Sequence, residues 1–196
     1  SYAARGWHVF PLHSRRGVRC SCGSPKCRVH PDGSIEGDPG KHPRTLHGFL
    51  DASTDPAVIR AWWGRWPDAN VGIATGTASG VWVLDVDTRH AGDESLEARF
   101  PGLEAAVEAI TGSGGRHLYW VHAPGVGIGS GVLVGVDFRG DGGYVVAPPS
   151  SHASGRCYQW EAMHDPGEHA PTVAPAELVA LVRAPVDARR NGAART

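Results

Sequence analysis

VWVLDVDTR, residues 81–89, reads as a buried strand that ends in two acids one residue apart, Asp85 and Asp87. Side chains in a strand alternate with period two, so both carboxylates point to one face. Two like charges held side by side are costly unless a positive charge sits with them. A divalent metal is the usual remedy, and the rest of the chain then has to supply a reaction for it.

Upstream, NVGIAT (70–75) is a second short apolar strand, joined to the first by the turn GTASG. Before it, STDPAVIRAWWGRWP predicts a helix. Asp55 is its N-cap, Pro56 takes the first helical position, and Val58, Ile59, Trp62, Trp63 and Trp66 recur near helical spacing. Gly64 weakens this helix and Pro67 ends it. WHVF, near the N-terminus, predicts one more short strand. Downstream, DESLEARF and LEAAVEAI predict helix, broken at Pro101 and Gly102. RHLYWVH (116–122), VLVGVDFRG, GGYVVAPPS and RCYQW (156–160) are strand candidates. Strands mixed with helices, several joined by hairpin-length turns, indicate an α+β fold. Residues 1–165 are expected to form one domain. Residues 166–196 read as a Pro/Ala-rich linker with the short helix AELVALV and a flexible tail, disordered after about residue 186.

The 196 residues carry a net charge of −1, which does not advertise a nucleic-acid binder. The distribution says more. Residues 1–50 hold eight Arg/Lys against three Asp/Glu, and the remainder holds eleven against seventeen. A basic N-terminal part beside an acidic remainder can bring a polyanion to a carboxylate cluster. The 27 Gly and 15 Pro imply many tight turns rather than a helical bundle. No run approaches the roughly 18 apolar residues of a membrane span, and no signal peptide is visible, so no membrane partner and a reducing, cytoplasmic setting are expected.

A third acid, Asp137, ends another strand candidate in GVDFRG; its alternative reading is a turn initiator before GDGG. Three carboxylates from two strands suit two divalent cations, the arrangement that activates an attacking hydroxyl and stabilises a leaving oxygen. Between the acids lies TGSGGRHLYW. The backbone N–H groups around Ser113 and Gly114, with Arg116 and His117 just after, suit triphosphate oxygens. The stretch is not a P-loop, because the GK[ST] ending is absent. Strand alternation puts Arg116 and His117 on opposite faces, with His117 taken as the inward one. No Ser–His–Asp or Cys–His arrangement stands out, and Cys157 reads as a small buried strand residue.

Taken in order, GVWVLDVDTRHAGDESL, TGSGGRHLYW and GVDFRGDGGYVVAPPS resemble the bifunctional DNA primase/polymerase N-terminal domain of plasmid and phage replication proteins, within the archaeo-eukaryotic primase superfamily. The likeness includes GWHVFPL, GKHPRTLHGFLDAST and IRAWWGRWPDANVGIATG, and covers roughly residues 3–160. It implies an archaeo-eukaryotic primase-like fold, an α/β module packed against an RRM-like antiparallel β module with the catalytic cleft between them. It also implies that Asp85, Asp87 and Asp137 are metal-binding acids, for magnesium or manganese, and that His117 contacts the incoming nucleotide's phosphates. Gly115 stands where the family has serine, so a hydroxyl contact would have to come from Ser113. Arg139 becomes a phosphate or template contact, and Tyr144 with the APPS turn lines the nucleotide pocket. The implied partners are single-stranded DNA template, nucleoside triphosphates and a helicase domain elsewhere in the full-length protein. The alternatives are a metal-dependent nuclease and a non-catalytic RRM-like nucleic-acid binding module. The latter would stack bases on aromatics such as Trp82, Tyr119 and Trp120.

Cys20-x-Cys22-x4-Cys27 supplies three soft ligands in a stretch of about thirty residues with little hydrophobic periodicity, and such a stretch needs another source of order. A structural zinc fits, in a loop at about residues 15–45. Local spacing favours His30 as the fourth ligand, whereas the family resemblance, through GKHP, favours His42. The loop would order Arg15, Arg16, Arg19, Lys41 and Arg44 against template phosphates, or serve only to stabilise the fold.

Overall fold

The structure, a computed structural model, describes residues 1–184. In chain order the first half contains β1 (Val9–Leu12), β2 (Arg15–Arg16), β3 (Arg19–Cys20), β4 (Arg28–Val29), β5 (Ile35–Glu36), α1 (Pro56–Arg65), β6 (Asn70–Ala74) and β7 (Val81–Val86). There follow α2 (Gly92–Arg99), β8 (Val107–Ile110), β9 (Arg116–Val121), β10 (Ile128–Leu133), β11 (Val136–Arg139), β12 (Tyr144–Ala147), β13 (Gln159–Trp160) and α3 (Ala176–Arg183). The fold is α+β with three sheets. The chain divides into two compact units. The first is Ser1–Ala74 with Thr111–Ser113 and Tyr144–Gln159; the second is Thr75–Ile110, Gly114–Gly143 and the described chain from Trp160.

In the first unit, β1, β6 and β12 form an antiparallel sheet with β6 in the middle. Phe10 pairs across from Gly72, and a Cβ at Gly72 would lie 2.6 Å from the Phe10 ring, so only glycine leaves room for the aromatic. Phe10, Leu12, Val146 and Tyr158 make the buried cluster there, with Trp62 of α1 packed against it. Asp55 caps α1 through a 2.7 Å bond from the Ala57 N–H, and Pro56 occupies the first turn, as the sequence predicts. The stretch read as an irregular loop is a four-stranded antiparallel meander, β2-β3-β4-β5, of strands only two residues long. Cys157 is exposed, bridged to Ser151 outside any strand, and not buried as expected. Only Gln159–Trp160 of RCYQW is strand.

In the second unit, six strands run in the order β10-β11-β7-β9-β8-β13, which places β7 centrally. Trp82, Leu84 and Val86 of β7, Leu118 and Trp120 of β9, and Val136 and Phe138 of β11 share one face. They bury themselves with Leu96 and Phe100 at α2 and Leu178 and Val182 of α3. Val81 and Val83, on the other face, are buried too. This explains why VWVL reads as a continuous apolar run rather than an alternating one. Truncating Leu84, which is fully buried, to alanine is expected to cost about 2–5 kcal/mol in urea unfolding at unchanged m-value.

Three expectations change in this unit. LEAAVEAI is not helix: its second half is β8, paired with β9 so that Val107 and Ala109 meet Tyr119 and His117. The ladder to β9 overrides the helix propensity of Leu, Glu and Ala. VLVGVDFRG is not one strand but the end of β10, a turn at Val134–Gly135 and β11, with Gly135 at φ +66. The glycine-rich run before it therefore belongs to a strand. Finally, the predicted short helix AELVALV forms as α3, but residues 166–184 pack on the core and do not run free as a linker. Thr172 bridges Trp120, and α3 is docked in the core through Leu178 and Val182. The expected tail after residue 186 lies outside the described residues. Among the described residues, no helix is long and apolar enough to cross a membrane.

Candidate active site

β7 pairs antiparallel with β11 on one side and β9 on the other, and the registers bring Asp137 opposite Asp85 and Asp85 opposite His117. Directly opposed residues in neighbouring strands share a face. Asp137, Asp85 and His117 therefore form one row across three strands, on the face away from the cluster of Trp82, Leu84 and Leu118. Arg139 lies on that face two residues beyond Asp137, in register with Val83 and Tyr119.

Each acid has a basic side chain beside it. Asp85, about a third exposed, has an oxygen 3.5 Å from Nε2 of the buried His117. Asp137 accepts a 2.8 Å bond from the Gly131 N–H and a 3.1 Å bond from Arg139 Nη2. Arg139 also donates to the carbonyls of Gly129 and Phe138, which fixes its guanidinium beside the acid. Asp87 lies just past β7 and caps a short 3-10 helix, Thr88–His90. It accepts bonds from Arg89 and His90. The Arg89 hydrogen bond holds its carboxyl far below the usual carboxylate range; burial opposes this, and His90 adds to it. Asp85 and Asp137 are thus neighbours in register, and each of the three acids has a basic side chain beside it. Among the described residues, the group whose donor atoms all lie within 4.8 Å of one another is the cysteine–histidine cluster.

Arg116 takes a different task from the one read in the sequence. It is in register with Val86, so it lies on the helix-covered face, where it donates to Asp93 (2.6 and 2.9 Å) and approaches Glu108 (3.5 Å). Strand alternation separates it from His117. Glu108 is buried, and burial raises its pKa despite Arg116 and His164. A carboxyl with a raised folded pKa contributes its stability below the unfolded value and loses it as pH rises through the folded one. Denaturation curves of Glu108→Gln should therefore gain on wild type as pH rises from about 4 to 7.

Gly114 turns at φ +97, and its carbonyl accepts a 3.3 Å bond from Thr88, which ties this turn to the segment after Asp87. Ser113 Oγ bonds to Thr111 Oγ1 at 2.9 Å. In the first unit, Tyr144 packs edge-on to Phe10 and stacks on Phe49, and its hydroxyl donates to the Lys41 carbonyl at 3.1 Å. Trp82, Tyr119 and Trp120 are fully buried or nearly so and present no face for a base to stack on.

Also in the first unit, Cys20, Cys22, Cys27 and His42 meet. The β2–β3 hairpin presents Cys20, and His42 Nε2 lies 3.3 Å from Cys20 Sγ and 3.4 Å from Cys27 Sγ. His30 is instead 3.3 Å from Glu36. Burial, then Cys20, pushes the Cys27 thiol up to about 12. At Cys20 burial acts the same way, but the backbone N–H groups of Cys22 and Gly40 outweigh it and lower the pKa. Three thiols and an imidazole converging in this way are a donor set that suits zinc. Around them sits a shell the sequence reading missed. His13 bonds to Ser21 and packs its ring 4.7 Å from that of His42, and burial, His42 and Arg44 lower its pKa to about 4.

Arg44 belongs to that shell and not to an exposed basic surface. Its side chain is 5 % exposed, donates to Ser21, approaches Asp68 at 3.7 Å and lies over the Trp66 ring. Arg16 is exposed but paired with Asp68 at 2.9 Å, and Arg15 bonds to the Gly17 carbonyl. Arg19 is exposed and Lys41 half-buried. No distance in the sequence signals Asp68 as the common partner of Arg16 and Arg44.

A comparison with curated proteins finds no match. The family model described as bifunctional DNA primase/polymerase, N-terminal (Prim-Pol) matches residues 1–177, and the chain belongs to that family.

Proposed function

We propose that this domain carries out template-directed nucleotidyl transfer, making or extending primers on single-stranded DNA, at a centre built from Asp85, Asp87, Asp137 and His117. Family membership implies DNA primase/polymerase activity in general. The observation that carries the finer reading is the cross-strand row Asp137–Asp85–His117, two carboxylates and an imidazole side by side on one face. Hard carboxylate oxygens are the donors magnesium and manganese prefer, so the donor chemistry of the three acids fits either metal. Bound there, the cations would supply a more acidic primer 3′-hydroxyl and offset charge on the departing pyrophosphate.

The protein's own part is positioning and charge. His117 sits next to Asp85 and in this reading would meet phosphate oxygens, and Arg139 brings a guanidinium that three acceptors hold in place. The Ser113–Gly114 turn adds backbone donors. Arg116 drops out of the phosphate-binding set, because Asp93 and Glu108 hold it. Cys20, Cys22, Cys27 and His42 would hold a structural zinc that orders Arg15, Arg16, Arg19 and Lys41 toward template phosphates; Arg44 instead supports the metal loop from inside. Residues 1–165 carry the catalytic elements in this proposal, with α3 completing the core. The RRM-like description applies to the antiparallel sheet around β7. A cytoplasmic replication protein with a helicase domain elsewhere is the setting that goes with this activity.

The test is incorporation of labelled nucleotides on a single-stranded template, with and without a primer, in magnesium and in manganese. Template-dependent product supports the proposal. Cleavage of the template without any triphosphate requirement would identify a nuclease, and binding without incorporation a non-catalytic module.

A further inference from the structure

The three acids are partnered unequally. Asp85 faces His117 at 3.5 Å, the long end of hydrogen-bond distance. Asp87 is saturated. Its Oδ1 accepts from the Arg89 N–H (3.0 Å) and Nε (3.1 Å), and its Oδ2 from Arg89 Nη2 (2.9 Å) and His90 Nδ1 (2.9 Å). A carboxylate offers about four lone-pair sites, and all four are taken. A divalent cation cannot reach Asp87 without evicting a side chain.

The backbone shows that this arrangement is built in. The Asp87 carbonyl accepts from the N–H groups of His90 (3.0 Å) and Gly92 (3.1 Å), and the Asp87 N–H donates to Gly135 at 2.8 Å. The segment Thr88–Gly92 is thereby wrapped around Asp87. Ala91 is held at φ +58, a left-handed conformation that a residue with a Cβ adopts only when its surroundings impose it. Gly92 and Gly135 pack so closely that a Cβ on Gly92 would lie 2.6 Å from the Gly135 carbonyl and one on Gly135 2.4 Å from that of His90. The tight wrap delivers Arg89 and His90 onto the carboxylate.

We propose that Arg89 and His90 form a hydrogen-bonded latch on Asp87, a pair of positioning residues that compete with the divalent metal and set its affinity. This rests on the reading of Asp85, Asp87 and Asp137 as metal ligands. Asp85 and Asp137 take a cation first, and Asp87 joins only when Arg89 and His90 let go. The latch keeps Asp87 paired when no metal is bound and raises the metal concentration needed to complete the site.

The test reads manganese(II) binding to the intact chain, through the electron paramagnetic resonance signal of the free ion, and needs no turnover. R89Q/H90Q should bind manganese about threefold to tenfold more tightly than wild type at low salt, the size set by two exposed ion pairs, and each single variant should show part of the gain. D87N should weaken binding, and adding R89Q/H90Q to it should bring no gain, because the latch then has no carboxylate to close on. A gain that persists in the D87N background would be a general charge effect and would overturn the latch. R89Q/H90Q binding no better than wild type while D87N binds worse would overturn it too, leaving the metal reading intact. If D85N, D87N and D137N all bind manganese like wild type, the metal reading falls and the latch with it.

Discussion

Replacing Asp85 or Asp137 by alanine should lower nucleotide incorporation by about three orders of magnitude or more while the domain stays folded. The proposed reaction has no protein nucleophile, so its rate depends on charge placed where the phosphoryl group and leaving oxygen develop theirs. Removing a carboxylate that holds a metal takes away that charge directly, and the loss appears in kcat rather than in nucleotide affinity alone. Folding should suffer little. Both side chains are about a third exposed, and two like charges in register on adjacent strands repel, so each single substitution relieves part of that repulsion. Asp137→Ala also removes the acceptor of the Gly131 N–H and of Arg139 Nη2, which costs about 1 kcal/mol. Thermal unfolding run alongside the incorporation assay separates the two effects. Undiminished synthesis by a folded Asp85→Ala variant would remove these acids from the mechanism.

Cys27→Ser, or stripping metal with a chelator, should be the most damaging change to the first unit. The strands of the 15–36 meander are two residues long, too short to persist on their own pairing. The order of the segment then rests on the meeting of Cys20, Cys22, Cys27 and His42. Structural zinc sites in peptides bind with roughly 10–16 kcal/mol. If about 4–5 kcal/mol of that is coupled to folding here, the unfolding midpoint should fall by roughly 10–20 °C for a domain of this size. Two measurements check this: one equivalent of zinc released per chain, and loss of hydrogen-exchange protection between Arg19 and Glu36. His42→Ala should share the phenotype, whereas His30→Ala should keep its zinc, because His30 is turned to Glu36. A Cys27→Ser variant that retains both metal and protection would show that something other than the cluster orders the meander.

Much of the site was legible because its signals are local. The two-residue spacing of Asp85 and Asp87 after an apolar run marks a strand end, and Asp55-Pro56 marks a helix start; neither needs a distant partner to be read. The cysteine cluster was legible as a spacing but not as a complete ligand set, since His30 and His42 both lie within reach along the chain. The signal for the Arg89–His90 pair was also present, in the TRH that follows DVD: an N-cap acid followed two and three residues later by cations. It passes unnoticed when the acids are considered only as metal ligands.

What the sequence by itself determined is the set of chemical groups and the elements whose patterns are short-ranged, namely β6, β7, β9, α1 and the acids at the strand end. The tertiary structure alone decided which groups meet. LEAAVEAI becomes a strand because β9 offers a ladder, Arg116 turns to Asp93 and Glu108 because His117 takes the other face, and Arg44 is drawn inward by Ser21, Asp68 and Trp66. The physical reason is that a side chain's period along its own strand is fixed by the backbone. Its cross-strand partner and the burial of its charge depend on chain segments tens of residues away, whose arrival no local pattern records.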